Sequence, residues 1–488
     1  MLDKVRNFLN ENKKVQSLRR FYAGDLYLAV TALAAAIAYC CSIELFVAPL
    51  LILFCGAGLI ISKDFKPYLI ILLIFVYMVP PTHMQPDSGA FTNSYYYKNL
   101  GALICYAALI VLTLAARFTI HGGFTKIFKT KTKLTFFVIP LAAAFLFNGF
   151  LAENYRVGNL IFGFTMAFCM CFLYLVIVHN IDYDDKTVTY FCKVCFYIAL
   201  TLIVEIIYVY VKGAFIYDGT INKDLMQFGW GICNNYGAMV AVLIPPILYL
   251  VTNEKRWYIY YGVAMLTFVA TIFSFSRAAM LVGTAAFIFG LVVIMLLGNN
   301  AKKCIIANCA MLIIGVTVVI VRRDALMTIF KSILDMKFSD RGRFNLWKLA
   351  RDNFIAHPVF GGGFYSCEFV SRGFLPSFYH NTVIEIGAVM GAFGLTAYLA
   401  FRAKTLYLCF RKLNAERLFL GLMLAVLLGT SLLDNHMFNI YPLFYHAVMI
   451  ALIELDFNKT AVPLLGKKAA TTVEPAEAQS APATETNE

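Results

Sequence analysis

Blocks of about 20 apolar residues recur along the chain and are separated by short polar segments. Since about 20 helical residues cross the roughly 30 Å hydrocarbon core of a bilayer, each block predicts a transmembrane helix. Read in order, the blocks predict fourteen spans, near 25–43, 45–62, 67–82, 99–117, 134–151, 158–178, 189–211, 234–252, 257–275, 277–297, 303–321, 380–401, 418–434 and 440–457. The pattern therefore predicts an all-α polytopic membrane protein with about 14 transmembrane helices (12–14).

The polar segments predict five parts. A cytoplasmic N-terminal segment at 1–24 precedes transmembrane helices 1–11 at 25–321, and a long extracytoplasmic loop at 322–379 precedes helices 12–14 at 380–457. The final part, 458–488, is rich in Ala, Thr, Glu and Pro and has almost nothing to bury. Such a composition predicts a disordered cytoplasmic tail.

Composition and charge agree with a membrane protein. Hydrophobic residues make up 61% of the chain and charged residues 14%, which excludes a water-soluble fold. The net charge of +13 comes from Lys and Arg that collect in alternate loops, as expected when short cytoplasmic loops hold the basic residues. No separate basic domain remains to bind nucleic acid. We therefore expect a multi-pass protein of the cytoplasmic (inner) membrane, with membrane lipids around it.

Two amphipathic helices are predicted in the long loop. The first carries an apolar face and is expected to lie on the membrane surface; its members are Leu326, Ile329, Phe330, Ile333 and Leu334. The second can be capped by Ser339 or Asp340, and its face is formed by Phe344, Trp347, Ala350 and Phe354. It ends before His357-Pro358 and Gly361-Gly362-Gly363.

Three arginines are candidates for binding an anion. Arg341 and Arg343 lie at the N-terminal end of the second predicted helix, where guanidinium and backbone N–H groups form a good anion site. Arg277 lies in a short polar break between two apolar blocks. A charge near membrane depth is costly and is usually retained for a function. The plainer alternatives are a solvated helix face for the first two and a snorkelling anchor for Arg277.

A further polar pair, His380-Asn381, opens the span after the long loop. Glu385 lies one turn further on the same face, and Gly387, Gly391 and Gly394 predict a small-residue face that packs closely on a neighbouring helix. A histidine at a helix start is more often structural than catalytic. Its predicted position on the same side of the membrane as Arg277 and Arg343 favours a catalytic role.

At residues 274–400 the chain resembles the O-antigen ligase and O-antigen polymerase family of membrane glycosyltransferases. The matches are Ser276-Arg277 at the start of a span, Arg343 and Trp347 leading into His357-Pro358 and Gly361-Gly362-Gly363, and His380-Asn381 with Gly391 and Gly394. Asn234-Asn235 before the eighth span is a weaker match. The resemblance implies a GT-C-like fold. Many members have twelve spans, so the additional helices predicted near 25–82 would be accessory.

The resemblance implies transfer of a glycan from undecaprenyl diphosphate to a hydroxyl of an acceptor glycan, outside the cytoplasmic membrane and without a metal or other cofactor. Arg277 and Arg343 would neutralise the leaving diphosphate, and His380 would be the general base. The remaining candidate substrate-binding residues are Arg341, Asn381, Ser276, Trp347, Gly363 and Asn235.

Several alternatives stay open from the sequence. Polymerase, ligase and protein O-glycosyltransferase share this chemistry and differ in the acceptor. A flippase for lipid-linked oligosaccharides also suits many spans and an embedded arginine. A metal-dependent transferase would need an acidic motif, and Asp182-Tyr183-Asp184 lies in a loop too short for a nucleotide-sugar domain.

Overall fold

A computed structural model describes residues 2–74, 99–129, 132–153, 155–213, 216–217, 220–221, 226–228, 231–298, 300–321, 323, 342–367, 378–411 and 413–459. Several predictions lie outside these residues: the second half of the third span, the first amphipathic helix of the long loop, the side chains of Ser339, Asp340 and Arg341, and the disordered tail.

The described chain is predominantly helical. The first half contains α1 (Leu2–Glu11), α2 (Lys13–Tyr22), α3 (Asp25–Cys41), α4 (Glu44–Ile61), α5 (Leu69–Ile74), α6 (Leu100–His121), α7 (Phe124–Lys129), α8 (Thr135–Leu146), α9 (Val157–Asn180) and α10 (Thr187–Lys212). Two antiparallel pairs of two-residue strands follow: β1 (Ile216–Tyr217) with β2 (Thr220–Ile221), and β3 (Gln227–Phe228) with β4 (Gly231–Ile232). The second half contains α11 (Cys233–Asn253), α12 (Trp257–Phe273), α13 (Arg277–Leu297), α14 (Ala301–Val321), α15 (Arg343–Ala356), α16 (Thr382–Phe410), α17 (Ala415–Ser431) and α18 (Ile440–Lys459).

Eight of the described helices are long and apolar enough to cross a membrane: α4, α6, α9, α10, α11, α13, α16 and α18. The number becomes nine if α2 and α3, which meet at a bend of 60°, form one broken span. A polytopic helical membrane protein is thus confirmed, whereas the prediction of about fourteen spans is not. Helices do occur at the remaining predicted positions, but some are short: α8, for example, has 12 residues, which span only about 18 Å.

Helix α11 is the centre of the bundle. In its most apolar 18-residue window, 94% of the residues are buried within the protein. It packs against α10, α12, α13 and α17, so its apolar side chains face other helices on every side. Its N-terminal end carries the asparagine pair that the sequence singled out, and this central position brings that pair close to several other helix ends.

Helix α16 is interrupted at Gly391, whose backbone has φ +63° and ψ −162°. The loop after α15 fits into the interruption. The N–H groups of Gly362 and Gly363 donate to the carbonyls of Ala388 and Val389, at 2.9 and 3.0 Å. The N–H groups of Ala392 and Phe393 donate in turn to the carbonyls of Pro358 and Val359, at 2.8 and 3.2 Å. The loop thereby satisfies backbone groups that the break would otherwise leave unpaired.

The sequence predicted that Gly387, Gly391 and Gly394 form a small-residue face along one continuous helix. The structure differs, because the helix is broken at Gly391. A Cβ on Gly391 would lie 2.4 Å from the carbonyl oxygen of Val359, and one on Gly361 would lie 2.2 Å from the carbonyl carbon of Val389. Close approach is therefore confirmed at Gly391, but it is made to a loop at a helix break. The predicted cap of α15 is also wrong, because the residue before this helix is Gly342, in the left-handed conformation.

Candidate functional site

His380 lies directly before α16 and has the left-handed backbone conformation, with φ +56°. Its Nδ1 is 2.9 Å from Oδ1 of Asp434, and 44% of its side chain is exposed. Because a carboxylate only accepts hydrogen bonds, Nδ1 carries the proton in the neutral imidazole. Nε2 is then the nitrogen with a lone pair, on a side chain that a substrate can reach.

Asn381 holds the start of α16 in place. Its side-chain oxygen accepts from the N–H groups of Val383 and Ile384, at 2.9 and 3.1 Å, as an N-cap does. Its amide nitrogen donates to the carbonyl of Leu432 at 2.8 Å. The predicted substrate-binding residue therefore ties the beginning of α16 to the turn that carries Asp434.

Asp434 follows α17 and is almost completely buried. Besides His380, it accepts from the backbone N–H of Asn435 at 2.9 Å and from the side-chain amide of Asn234 at 3.4 Å. Burial alone would raise its pKa, but the hydrogen bond from His380, together with the charge that the imidazoles of His436 and His380 carry when protonated, holds the pKa of Asp434 well below its ordinary value. This residue is therefore a carboxylate at neutral pH and can orient the histidine.

His436 is a second imidazole in this turn, and it is completely buried. Burial lowers the pKa of His436; Asp434 opposes this effect, and the charge of Arg343 adds to it, as does His380 whenever its ring is protonated. The ring is therefore neutral at pH 7. Its Nδ1 has no hydrogen-bond partner among the residues that the structure describes. The charge of Arg343, at the start of α15, therefore acts on the turn that holds the orienting carboxylate.

Arg343 is the first residue of α15. One turn later, Nε1 of Trp347 donates to the carbonyl of Tyr379 at 3.0 Å. Positions 343 and 347 lie on the same side of the helix, and Tyr379 directly precedes His380. The tryptophan therefore fixes the arginine-bearing helix to the segment that carries the base.

Arg277 is the first residue of α13, and Ser276 is its cap. The Ser276 hydroxyl accepts from the N–H of Ala279 at 3.4 Å. Gly237 of α11 packs so closely on this start that a Cβ there would lie 2.8 Å from the Cβ of Ser276. The start of α13 is therefore in direct contact with the first turns of the central helix.

The same face of α11 reaches the carboxylate. Asn234 precedes Gly237 by three residues, so the two share one side of the helix, and Asn234 binds Asp434. Asn235 was the predicted contact, but it is rotated about 100° from Asn234 around the helix axis. The polar start of α13 and the Asp434 turn thus lie about one helical turn apart along α11.

Gly363 is held in the interruption of α16. Its N–H donates to the carbonyl of Val389, and a Cβ would lie 2.7 Å from Nδ2 of Asn159. Its carbonyl accepts from the hydroxyl of Ser366 at 2.7 Å, and that hydroxyl is 3.3 Å from the hydroxyl of Tyr379. Gly363 therefore has a packing role, and Ser366 connects it to Tyr379, the residue before His380.

Sequence reasoning did not assign Asp434 or His436 to the site. Both lie in the polar break at 434–436 between the last two apolar blocks. An acid and an imidazole at the same predicted membrane side as His380 were the signal that could have found them.

The geometry defines a class of protein: a helical membrane protein with a carboxylate-oriented imidazole, and arginines at neighbouring helix ends on the same side of the bundle. A model of the O-antigen ligase family matches residues 262–399 of this chain. The matched segment includes Arg277, Arg343 and His380 and covers nearly all of residues 274–400, where the sequence resembles this family, so the resemblance is confirmed. No curated protein matches the chain.

Proposed function

We propose that the chain transfers a glycan from undecaprenyl diphosphate to a hydroxyl of an acceptor glycan, in the biosynthesis of a cell-surface polysaccharide. The family match supports a glycosyltransferase of O-antigen ligase type in general. The observation that carries the finer proposal is the hydrogen bond between Nδ1 of His380 and the Asp434 carboxylate, at 2.9 Å.

The donor is held by its diphosphate. Arg343 and Arg277 make bidentate contacts to the phosphate oxygens, and Arg341 adds a third guanidinium group. As the bond between the anomeric carbon and the diphosphate oxygen breaks, negative charge grows on that oxygen, and the arginines stabilise it. This role requires no metal ion. Trp347 of the same helix holds α15 to the segment that precedes His380.

The acceptor is activated by His380. Its Nε2 takes the hydroxyl proton while the acceptor oxygen forms a bond to the anomeric carbon, and undecaprenyl diphosphate leaves with the bonding electron pair. The imidazolium ion that results is stabilised by Asp434, which already binds Nδ1. The same carboxylate fixes the tautomer in which Nε2 can accept the proton.

The proposed setting is the cytoplasmic membrane, with the site on the extracytoplasmic side. The proposal includes about fourteen transmembrane helices in a GT-C-like arrangement. Shorter apolar helices such as α8 and α12 are then counted among the spans.

The test uses purified full-length protein with a lipid-linked repeat unit and an acceptor. His380→Ala should lower product formation by about 10²–10⁴-fold, because it removes the base, while donor binding persists through the arginines. His357→Ala is the matched control, since the hydrogen bonds of His357 to other described residues are made by its backbone: its N–H donates to Asn353, and its carbonyl accepts from Gly361. Unchanged turnover in His380→Ala would refute the base, and complete inhibition by EDTA would refute metal independence.

The same assay tests the arginines. Arg277→Lys and Arg343→Lys keep the charge but lose the planar two-pronged contact to phosphate, so each should retain only a small part of the activity. Wild-type turnover in both variants would show that the arginines are membrane anchors.

Deletion of the gene separates the acceptor classes. Accumulation of single lipid-linked repeat units indicates a polymerase, and accumulation of full-length lipid-linked chains indicates a ligase. Purified protein that moves lipid-linked glycan across a bilayer without forming a glycosidic bond would instead identify a flippase.

A further inference from the structure

A second polar site lies at the opposite end of the helices from His380. It is a cavity of about 560 Å³ between the segments that follow α4, α6 and α9. Its charged and imidazole-bearing lining residues are Arg6, Lys63, Arg117, His121, His179 and Asp182.

The length of helix α10 gives the distance between this cavity and the proposed catalytic site. It begins at Thr187, whose hydroxyl is 3.3 Å from Nζ of Lys66, next to the cavity. Near its other end, the hydroxyl of Tyr210 donates to the carbonyl of Phe273 at 2.8 Å, immediately before the polar start of α13. The helix has 26 residues, and so is about 39 Å long. The cavity is therefore separate from the proposed catalytic site.

Basic groups outnumber the acid on the cavity lining. Arg6, Lys63 and Arg117 carry permanent positive charge there, and Asp182 is the lining acid. Asp64 and Asp184 lie close by and both contact Lys66, at 3.0 and 3.2 Å. Cationic groups gathered around an open cavity attract an anion.

Arg117 gives the cavity a fixed guanidinium group. The residue is only 4% exposed, and it donates to the carbonyl oxygens of Gly122 and Lys63. Its Nε is buried and has no hydrogen-bond partner in the described part of the chain. No carboxylate from that part lies within ion-pair distance. The guanidinium group also lies over the ring of Phe118, 5.3 Å from its centroid. A buried cation with an unpaired donor is costly unless an anion completes its shell.

The turn that follows α6 contains two glycines next to the guanidinium group of Arg117. Gly122 and Gly123 both have positive φ, +72° and +102°. A Cβ on Gly123 would lie 2.4 Å from Oδ1 of Asn180 and 3.0 Å from Nη1 of Arg117. The two glycines therefore let the backbone turn tightly against the guanidinium group.

We propose that this cavity binds a phosphate-bearing anion. Planar guanidinium donors with a lysine ammonium group are the side chains that recognise phosphate oxygens, and the volume admits a diphosphate or a phospholipid headgroup. Basic residues that serve only to orient a membrane protein need neither burial nor a shared cavity. The phosphate can belong to a soluble molecule or to an anionic lipid, and the experiment distinguishes these sources.

The experiment uses the full-length protein in nanodiscs and follows its thermal unfolding. In phosphatidylcholine nanodiscs at constant ionic strength, inorganic pyrophosphate should raise the unfolding midpoint if the ligand is soluble. If the ligand is a lipid, the midpoint should rise only when phosphatidylglycerol is included in the nanodisc. A midpoint that responds to neither probe overturns the proposal.

Lys63→Gln is the diagnostic variant because the side chain of Lys63 is exposed and its removal leaves the carbonyl that holds Arg117. It should weaken the response to the effective probe roughly tenfold, the loss expected for one charge-assisted contact. Lys255→Gln is the matched control: it removes an equally exposed lysine from the same end of the bundle, outside the cavity. Equal responses of the two variants would show a general charge effect and would also overturn the proposal.

Discussion

At the scale of single residues, the histidine of the candidate site is controlled by its environment. His380 has a positive φ, which is uncommon for a side chain of this size. The conformation persists because Asp434 binds the ring and Asn381 caps the helix that follows. Such local strain at a reactive group is a common form of pre-organisation.

Asp434→Asn tests whether Asp434 orients the ring of His380. The amide can donate to Nδ1 and thereby favour the tautomer in which Nε2 carries the proton and cannot accept another. We expect turnover to fall about 10²-fold or more and the pH profile of turnover to change shape, with the protein still folded. Steady-state assays across pH, with unfolding measured in parallel, check this.

Asp352→Asn serves as the control because Asp352 is an exposed acid on α15 near the same end of the bundle. Equal activity of the two variants would show that Asp434 does not act through His380.

The charge state of Asp434 also sets a pH dependence of stability. Its pKa is lower in the folded protein than in the unfolded chain, so the carboxylate stabilises the fold above its unfolded pKa of about 3.9. This contribution is lost as the pH falls through the lower, folded value. Between pH 5 and 8 it is fully present.

The site was partly predictable because some of its members lie in short motifs. His380, Asn381, Arg343 and Trp347 stand in local patterns, and the structure places them together. Asp434 lies 54 residues after His380, and only the packing of α17 against its neighbours brings it there. Local patterns therefore identified the base but not the group that orients it.

At the scale of elements, apolar blocks predicted where helices occur and left their shapes open. The bend of 60° between α2 and α3 and the interruption of α16 depend on contacts with segments that are distant or not apolar. The apolar pattern also could not predict helix length. When a turn is itself apolar, the apolar block continues through it and hides the end of the helix. Span number consequently was the weakest part of the prediction.

Gly391→Ala tests the interruption of α16. Alanine disfavours the positive φ, and its Cβ would collide with the carbonyl oxygen of Val359, so we expect a loss of about 1–3 kcal/mol in the free energy of unfolding. Thermal unfolding in detergent measures it. In Gly262→Ala, the Cβ enters open space in α12, and helix propensity makes that change neutral or stabilising. Equal midpoints would contradict the role of Gly391.

At the scale of the whole molecule, the two polar sites mark the two ends of the bundle. The His380 end carries α15, and the other end carries the basic cavity and the turn between α11 and α12. Short cytoplasmic loops are richer in Lys and Arg than external ones. The cavity end is therefore the one we expect in the cytoplasm.

Cysteine labelling checks this orientation. In a background without the 13 native cysteines, an impermeant thiol reagent applied to intact cells should modify Asp352→Cys and miss Lys255→Cys. Both positions are exposed and lie at opposite ends of the bundle. Permeabilised cells should label both. The opposite pattern in intact cells would place the proposed site on the cytoplasmic side.

The loop held in the interruption of α16 has a consequence for biogenesis. Residues 358–363 leave the ribosome before α16, and the broken helix cannot satisfy its own N–H and C=O groups at Ala388 and Ala392. In hydrocarbon each unpaired group costs several kcal/mol. Helix α16, which begins just after His380, therefore reaches its native form only when the preceding loop has docked, and the position of the base depends on that docking.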